Sequence, residues 1–378
     1  MATTNFAALT ENEYTVWSRD FWREARNKTF LMRFAGTTSN SMVQRITELR
    51  KTTDGARAVI TLVNEATGDG VVGDNQLEGN EEALSSSDMV IQLDQWRKAH
   101  VSHGRMSDQR TIVNFRQEAR DQLAYNASRV MDELGFLTLS GVSYAYRTDG
   151  AQRYGSQLPL LRFGGDVKAP TAKRHYYWDG NYLRPGDTGA IEATFLPTYR
   201  MLVEMKAKAV NSYIRPVRTE DGVEIYNVFM SPDGIAALKR DPEFIAAWRE
   251  AEKRGKENPL FKGTAHGGTQ GILIDGLNIL EYRNVFNTRG APSGSKWGAT
   301  GTVDGQRVIL AGAQALAFAD IGRAIWVEKD FDYGNRQGVS IAKIFGMLKP
   351  QFFSTYDQSV QDFGVITVDT ALQPVNPA

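Results

Sequence analysis

The residues best suited to chemistry are few and scattered along the chain. His100 and His103 stand three apart, a spacing that shares a helical face and could fill two positions of a zinc site. Zinc needs further ligands, and no cysteine or third histidine lies nearby, so the pair reads as surface or interface histidines. Asp69, Asp74, Glu78, Glu81 and Glu82 gather enough carboxylate to suggest calcium. They do not follow the EF-hand order of alternating ligands, a glycine and a distant glutamate. A solvated tip or a salt-bridging interface is the favoured reading, with an adventitious divalent ion between neighbouring chains as the alternative. The run Gly263 to Gly271 is glycine-rich like a phosphate loop but lacks the Gly-Lys-Ser/Thr ending and the order of a dinucleotide fingerprint, and reads as a mobile loop. Lys206 and Lys208, two apart on a mixed helix face, need only solvation to explain them. Asn126-Ala-Ser128 fits a glycosylation sequon but falls within an expected helix. No Gly-x-Ser-x-Gly nucleophile elbow occurs. No catalytic, cofactor-binding or metal-ligating residue is therefore assigned, and no cofactor is expected.

Composition points the same way. The 378 residues contain no cysteine and four histidines, which excludes disulfides and thiolate sites and is sparse for a zinc enzyme. Lys plus Arg equals Asp plus Glu at 44 each, so the chain lacks the basic excess that drives a dedicated nucleic-acid binder. No run approaches the roughly 18 apolar residues of a membrane span. Met1 to Thr10 lacks a basic region followed by an apolar stretch, so no secretory signal is expected there.

The elements that must position these residues begin with a polar stretch, 1–50, holding aromatic clusters at Trp17, Phe21, Trp22, Phe30 and Phe34, with a helix candidate from Glu13 to Lys28. Such anchors pack on the chain's own core or, in the alternative, on a neighbouring copy. Residues 56–63 read as a strand and 88–101 as a second strand-like run. The glycine-rich acidic stretch between them makes an extended hairpin that projects from the body. Residues 107–134 form the clearest helix, with apolar or small residues at Ile112, Phe115, Ala119, Leu123, Ala127, Val130 and Leu134. Gly135 stands at the expected terminating position. At 1.5 Å per residue this rod is roughly 40 Å long.

Residues 141–190 read as loops and short strands. Leu196 to Val210 is a helix candidate with Pro197 at its start, Tyr226 to Met230 a buried strand. Two helices follow, opened by Ser231-Pro232 and Asp241-Pro242. Residues 255–271 read as a loop and Gly271 to Tyr282 as a strand with a turn. Arg307 to Gly312 is a buried strand, Ala313 to Phe318 a short helical or bent continuation. Ala324 to Glu328 and Phe363 to Asp369 are further strands. The ribbon at 56–101 and the rod at 107–134 are expected to carry surfaces that only identical copies would cover.

Several segments, in this order, resemble one known family: Val71 to Glu82, Gly104 to Arg110, Phe229 to Gly234 with Leu238 to Phe244, Ile279 to Tyr282, Leu310 to Leu316 and Phe363 to Thr370. Together they are similar to tailed-bacteriophage major capsid proteins with the HK97-like fold, over roughly residues 55–370. The resemblance implies an α+β chain with an N-terminal arm (1–50), an E-loop hairpin (51–105), a peripheral domain (106–190) with spine helix 107–134, an axial domain (191–324) and a return to the peripheral domain (325–378). It implies a structural protein, not an enzyme, that self-assembles into hexamers and pentamers of an icosahedral head. The Gly263 loop would then lie near the capsomer centre. Implied partners are other copies of the chain, a portal protein, scaffolding and decoration proteins, and packaged double-stranded DNA held without sequence specificity, but no membrane. The expected location is the virion capsid, after synthesis in the host bacterial cytoplasm. An encapsulin-like compartment shell is the alternative on the same fold, and a mixed α/β enzyme or ligand-binding protein the alternative of another class.

Overall fold

The computed structural model describes residues 25, 28–47, 50–52, 55–63, 70–79, 86–104, 106, 115–219, 222–253, 272–354 and 357–373. The architecture is α+β: two large sheets share one long helix, and four apolar clusters fill the spaces between them.

The eight-stranded sheet is centred on β13 (Gly305–Ala311) and β18 (Val365–Ala371), antiparallel from Gly305↔Ala371 to Ala311↔Val365. β10 (Glu224–Met230) pairs antiparallel with β13 and parallel with β12 (Leu277–Glu281), which continues to β11 (Ile272–Ile274). β9 (Val217–Arg218) pairs with β10 off this path. On the other side β18 pairs with β7 (His175–Trp178), followed by β8 (Leu183–Pro185). The central strands are buried on both faces and rich in apolar residues, interrupted by a few buried polar and charged side chains. Ile309, Ala311 and Phe229 join the cluster built around the long helix. Val308, Leu310, Val228 and Met230 join the opposite cluster, beneath the helices that follow Pro197.

The five-stranded sheet runs β1 (Ala35–Gly36), β2 (Val43–Ile46), β14 (Leu316–Phe331), β15 (Arg336–Leu348) and β6 (Asp94–Val101). β14 and β15 form a long antiparallel ribbon whose register shifts between Ile321 and Ile325, as at a β-bulge. Of this ribbon only Ala324 to Glu328 is expected as strand from the sequence, and Ala313 to Phe318 is expected to be helical or bent. The bend is real, with Gln314 at φ 51°, but from Leu316 onward the backbone is strand, paired with Val43 to Ile46.

The long helix α1 spans Phe115–Ser140, and the expected start at 107–114 lies outside the described residues. The expected stop at Gly135 is corrected: the helix runs one and a half turns further. Gly135 is a packing site, because a Cβ there would stand 2.4 Å from Leu31 Cδ1. Gly141, at φ 66°, supplies the stop. Its N–H donates to Thr138 O at 3.1 Å and the Val142 N–H to Leu137 O at 2.9 Å, a Schellman closure.

β4 (Gly55–Val63) pairs antiparallel with β5 (Ser86–Ile91) and also with β3 (Arg50–Thr52). The expected strand 88–101 is two strands. The chain bends at Gln92, whose N–H donates to Asp166 Oδ2 at 2.8 Å, and β6 leaves the hairpin to pair with β15. The small strands β16 (Gln351–Ser354) and β17 (Ser359–Asp362) pair with each other.

The outstretched ribbon and rod are also corrected. Ala58, Ile60 and Leu62 of β4 are buried against the chain's own Ala317, Ala319 and Leu348. Leu123, Ala124 and Ala127 of α1 are buried against Trp326, Val339 and Ile341. Alternate apolar residues on β4 and a small-residue groove on β14 suffice to dock the hairpin root on its own body. The described tip, 70–79, stays largely exposed.

Among the described residues three further α-helices lie beside the eight-stranded sheet. α2 (Tyr199–Asn211) is capped by Thr198, so Pro197 precedes the cap and does not open the first turn. Ser231 Oγ accepts from Gly234 N at the start of α3 (Pro232–Leu238), as its sequence requires. Asp241 serves two helices: Oδ1 accepts from Glu243 N at the start of α4 (Pro242–Lys253) at 3.3 Å, and Oδ2 from Tyr199 N of α2 at 2.7 Å.

Candidate assembly surface and its buried supports

The structure separates the residues that sequence chemistry singled out. His100 lies on β6 and His103 beyond its end, so they share no helical face. Asp74 and Glu78 are exposed on the hairpin tip, while Asp69, Glu81, Glu82 and the loop 263–271 lie outside the described residues. Lys206 pairs with Asp275 Oδ1 at 2.6 Å, and Lys208 Nζ stands 5.7 Å from the Tyr176 ring centroid. Asn126 and Ser128 are inside α1, where the Ser128 hydroxyl donates to Tyr125 O. Among the described residues no group of three or more His, Cys, Asp or Glu could hold a metal ion.

What the fold gathers instead is a set of buried charged nodes. Arg307 on β13 makes two parallel bonds to Asp369 on β18, Nε to Oδ1 at 2.7 Å and Nη2 to Oδ2 at 2.9 Å. Its Nη1 donates to Ser140 O, the last residue of α1, at 2.8 Å. His175 Nε2 on β7 reaches Asp369 Oδ2 at 2.7 Å. Burial alone would push the Asp369 carboxyl up; Arg307 and His175 outweigh it and hold it below the usual carboxylate range. One node thus joins three strands to the end of the long helix.

Lys349 and Asp362 form a second pair, 2.9 Å apart, with neither side chain exposed. Burial lowers the Lys349 amine below its ordinary range, opposed by Asp362. The Asp362 carboxylate also accepts from Gln351 Nε2 at 2.8 Å and from Thr171 N at 3.2 Å. A third node lies in the five-stranded sheet, where Asp320 on β14 binds Arg45 of β2 and Lys343 of β15, both ammonium or guanidinium nitrogens at 2.5 Å. Such nodes are weak sources of net stability but costly to break. Sequence reasoning missed all three, because a charged residue in a strand reads as a solvent-facing position. The available signal was a lone Asp or Lys within an apolar strand, as at Asp320, Lys343 and Asp369.

The N-terminal segment is held by a fourth carboxylate. Asp132 of α1 accepts from Phe30 N at 2.9 Å and Leu31 N at 3.0 Å. The Phe30 ring stacks on Tyr282 with centroids 4.1 Å apart, and its edge meets Phe229. The own-core reading of Phe30 and Phe34 therefore holds; Trp17, Phe21, Trp22 and most of the helix candidate Glu13 to Lys28 lie outside the described residues.

These supports leave one broad face open. On the ribbon, Ala324 and Trp326 point toward α1, and Glu328 accepts from Arg116 Nε at 2.7 Å. The alternate residues Ile325, Val327 and Phe331 point away and are 50%, 49% and 40% exposed. The cross-strand rows Ile325–Ala342–Arg97, Val327–Ser340–Ala99 and Lys329–Gly338–Val101 extend this face to β6. An apolar sheet face with a polar surround is suited to contact with another protein surface.

A family model described as phage capsid protein matches residues 5–373. The chain is 55% identical over 372 residues to a major capsid protein of Pseudomonas phage KPP25, covering 97% of each. Among solved structures it is similar to the capsid of Ralstonia phage GP4, with a TM-score of 0.73 and 27% identity over 92% of this chain and 91% of that one. It also matches the Cyanophage Pam1 capsid asymmetric unit, with a TM-score of 0.66 and 19% identity over 99% and 100% of the two chains.

Proposed function

The chain belongs to the phage capsid protein family and has the HK97-like fold, and from that premise we propose that it is the subunit that builds a phage head as hexamers and pentamers around double-stranded DNA. The observation that carries this reading is the correspondence with a phage major capsid protein along 97% of both chains. The same correspondence favours a virion shell over an encapsulin-like compartment. The role is structural and not catalytic: the buried charged residues brace the fold, and the open surface is apolar strand.

In this reading 1–50 is the arm, 51–105 the E-loop and 106–190 the peripheral domain with its spine helix. Residues 191–324 are the axial domain, built on the eight-stranded sheet to which β7, β8 and β18 also contribute, and 325–378 return to the peripheral domain. The hairpin tip lies over a neighbouring subunit. A portal protein, scaffolding and decoration proteins, and DNA bound without sequence preference are the further partners. The chain is made in the host cytoplasm and ends in the virion. Large shells are held by many modest contacts whose strengths accumulate on closure.

Negative-stain microscopy of native and recombinant particles tests this. Closed shells containing DNA and a portal vertex are expected. Shells filled with a protein cargo would support the compartment alternative, and a monomer or dimer with no tendency to assemble would overturn both.

A further inference from the structure

The loop that closes the β14–β15 ribbon between Phe331 and Arg336 places Asp332, Tyr333 and Gly334 on left-handed backbone, at φ 54°, 49° and 81°. Asn335 N donates to Asp332 O at 2.9 Å and Asn335 Nδ2 to Asp332 Oδ2 at 3.1 Å, so Tyr333 and Gly334 are the two central residues. The same chain contains an internal comparison. Asp275 and Gly276 join β11 to β12 with φ 46° and 78°. There the first central residue is aspartate, one of the few side chains that left-handed backbone tolerates well. Tyrosine lacks that compensation, and the Tyr333 side chain is fully exposed, so it is not buried within its own chain. An exposed tyrosine on left-handed backbone also occurs at Tyr213, at φ 54°; Tyr333 differs in standing at the end of the ribbon whose open face carries Ile325, Val327 and Phe331.

Tyr333 stands two residues beyond Phe331, at the end of the strand that presents Ile325, Val327 and Phe331. The Phe331 ring lies over Gly338, where a Cβ would come within 2.6 Å of it. By register, the charged residues on this face of the paired strands are Arg97, Lys329 and Arg336, all cationic. The chain carries a segment of complementary character at 70–79, where Val72 and Leu77 are exposed beside Asp74 and Glu78.

The geometry points to Tyr333 and the sheet face behind it as a contact surface covered by a second copy of this chain, with Tyr333 as its anchor. The inference rests on the shell-subunit reading and adds the anchor and its surface. Tyrosine is among the side chains enriched where a few residues carry most of the energy of such contacts.

Tyr333→Asn tests it, since asparagine suits the turn better than tyrosine does. The soluble subunit is expected to unfold at the same temperature or higher, while the yield of closed shells at equal concentration falls at least ten-fold. Tyr333→Phe is expected to assemble like the unaltered chain. Val327→Thr, which preserves strand preference, is expected to show the same loss of shells with a folded subunit and covers the case in which the turn variant fails to fold. Unaltered shell yield from folded Tyr333→Asn and Val327→Thr variants would overturn the inference while leaving the shell-subunit reading intact. Failure of the unaltered chain to form shells would instead strike the reading itself.

Discussion

The Tyr282 hydroxyl donates to the Asp132 carboxylate at 2.7 Å, and the same carboxylate receives the backbone N–H groups of Phe30 and Leu31. A single buried side chain thus fastens the N-terminal segment and the end of β12 to the long helix. Burial pushes its carboxyl up to about 6, against the opposing influence of the Leu31 and Phe30 amides, the Tyr282 hydroxyl and Arg33.

This gives a pH dependence of definite sign. The folded state binds a proton at Asp132 more readily than the unfolded chain, whose carboxyl titrates near 3.8. Stability from this group is therefore greatest in acid and declines as pH rises from about 4 through about 6. The unfolding free energy of the unaltered protein minus that of Asp132→Asn should fall by roughly 3 kcal/mol across that interval. A difference that stays flat in denaturant titrations at pH 4, 5, 6 and 7 would contradict it.

Asp369 should behave in the opposite way. Its carboxyl is held below the usual range, so its contribution is present above the unfolded value and is lost only in stronger acid. Asp369→Asn leaves the Arg307 guanidinium buried without its counter-charge and should destabilise by about 3–5 kcal/mol. Thermal unfolding of the single variants and of an Arg307→Met, Asp369→Leu pair measures the coupling; the pair should lose less than the two single changes added together.

Leu123→Asp is expected to cost about 3–5 kcal/mol, because Leu123 is fully buried between α1 and the ribbon and no partner for a carboxylate lies in that apolar cluster. Unchanged thermal stability would contradict the packing of this helix face.

Deleting Gly68 to Ser86 removes the tip but keeps Ala58, Ile60, Leu62 and Ile91 on the core. The variant should remain soluble and folded by circular dichroism yet fail to close stable shells. Normal particles in the microscope would show that the tip is dispensable.

Legibility of the fold followed local chemistry. Ser231-Pro232, Asp241-Pro242 and the Asp275-Gly276 turn each act within a few residues, and each appears where its sequence indicates. Gly135 misled because the same residue type serves to end a helix or to admit a neighbour, and only the position of Leu31 distinguishes them. β15 escaped notice because its apolar pattern is interrupted by Lys343, whose partner Asp320 lies on another strand. The open face was equally hidden, since Ile325 and Val327 look like core residues until the helix is seen to cover only Ala324 and Trp326.

Asp241 carries one last consequence. Its Oδ1 caps α4 locally while its Oδ2 accepts from Tyr199 N of α2, so prising α2 from α4 would break the Oδ2 bond and leave each helix only its local cap, Thr198 for α2 and Asp241 Oδ1 for α4. Any rearrangement of the subunit is cheapest when this pair travels as one rigid wedge, and the hinges for such a movement must lie elsewhere.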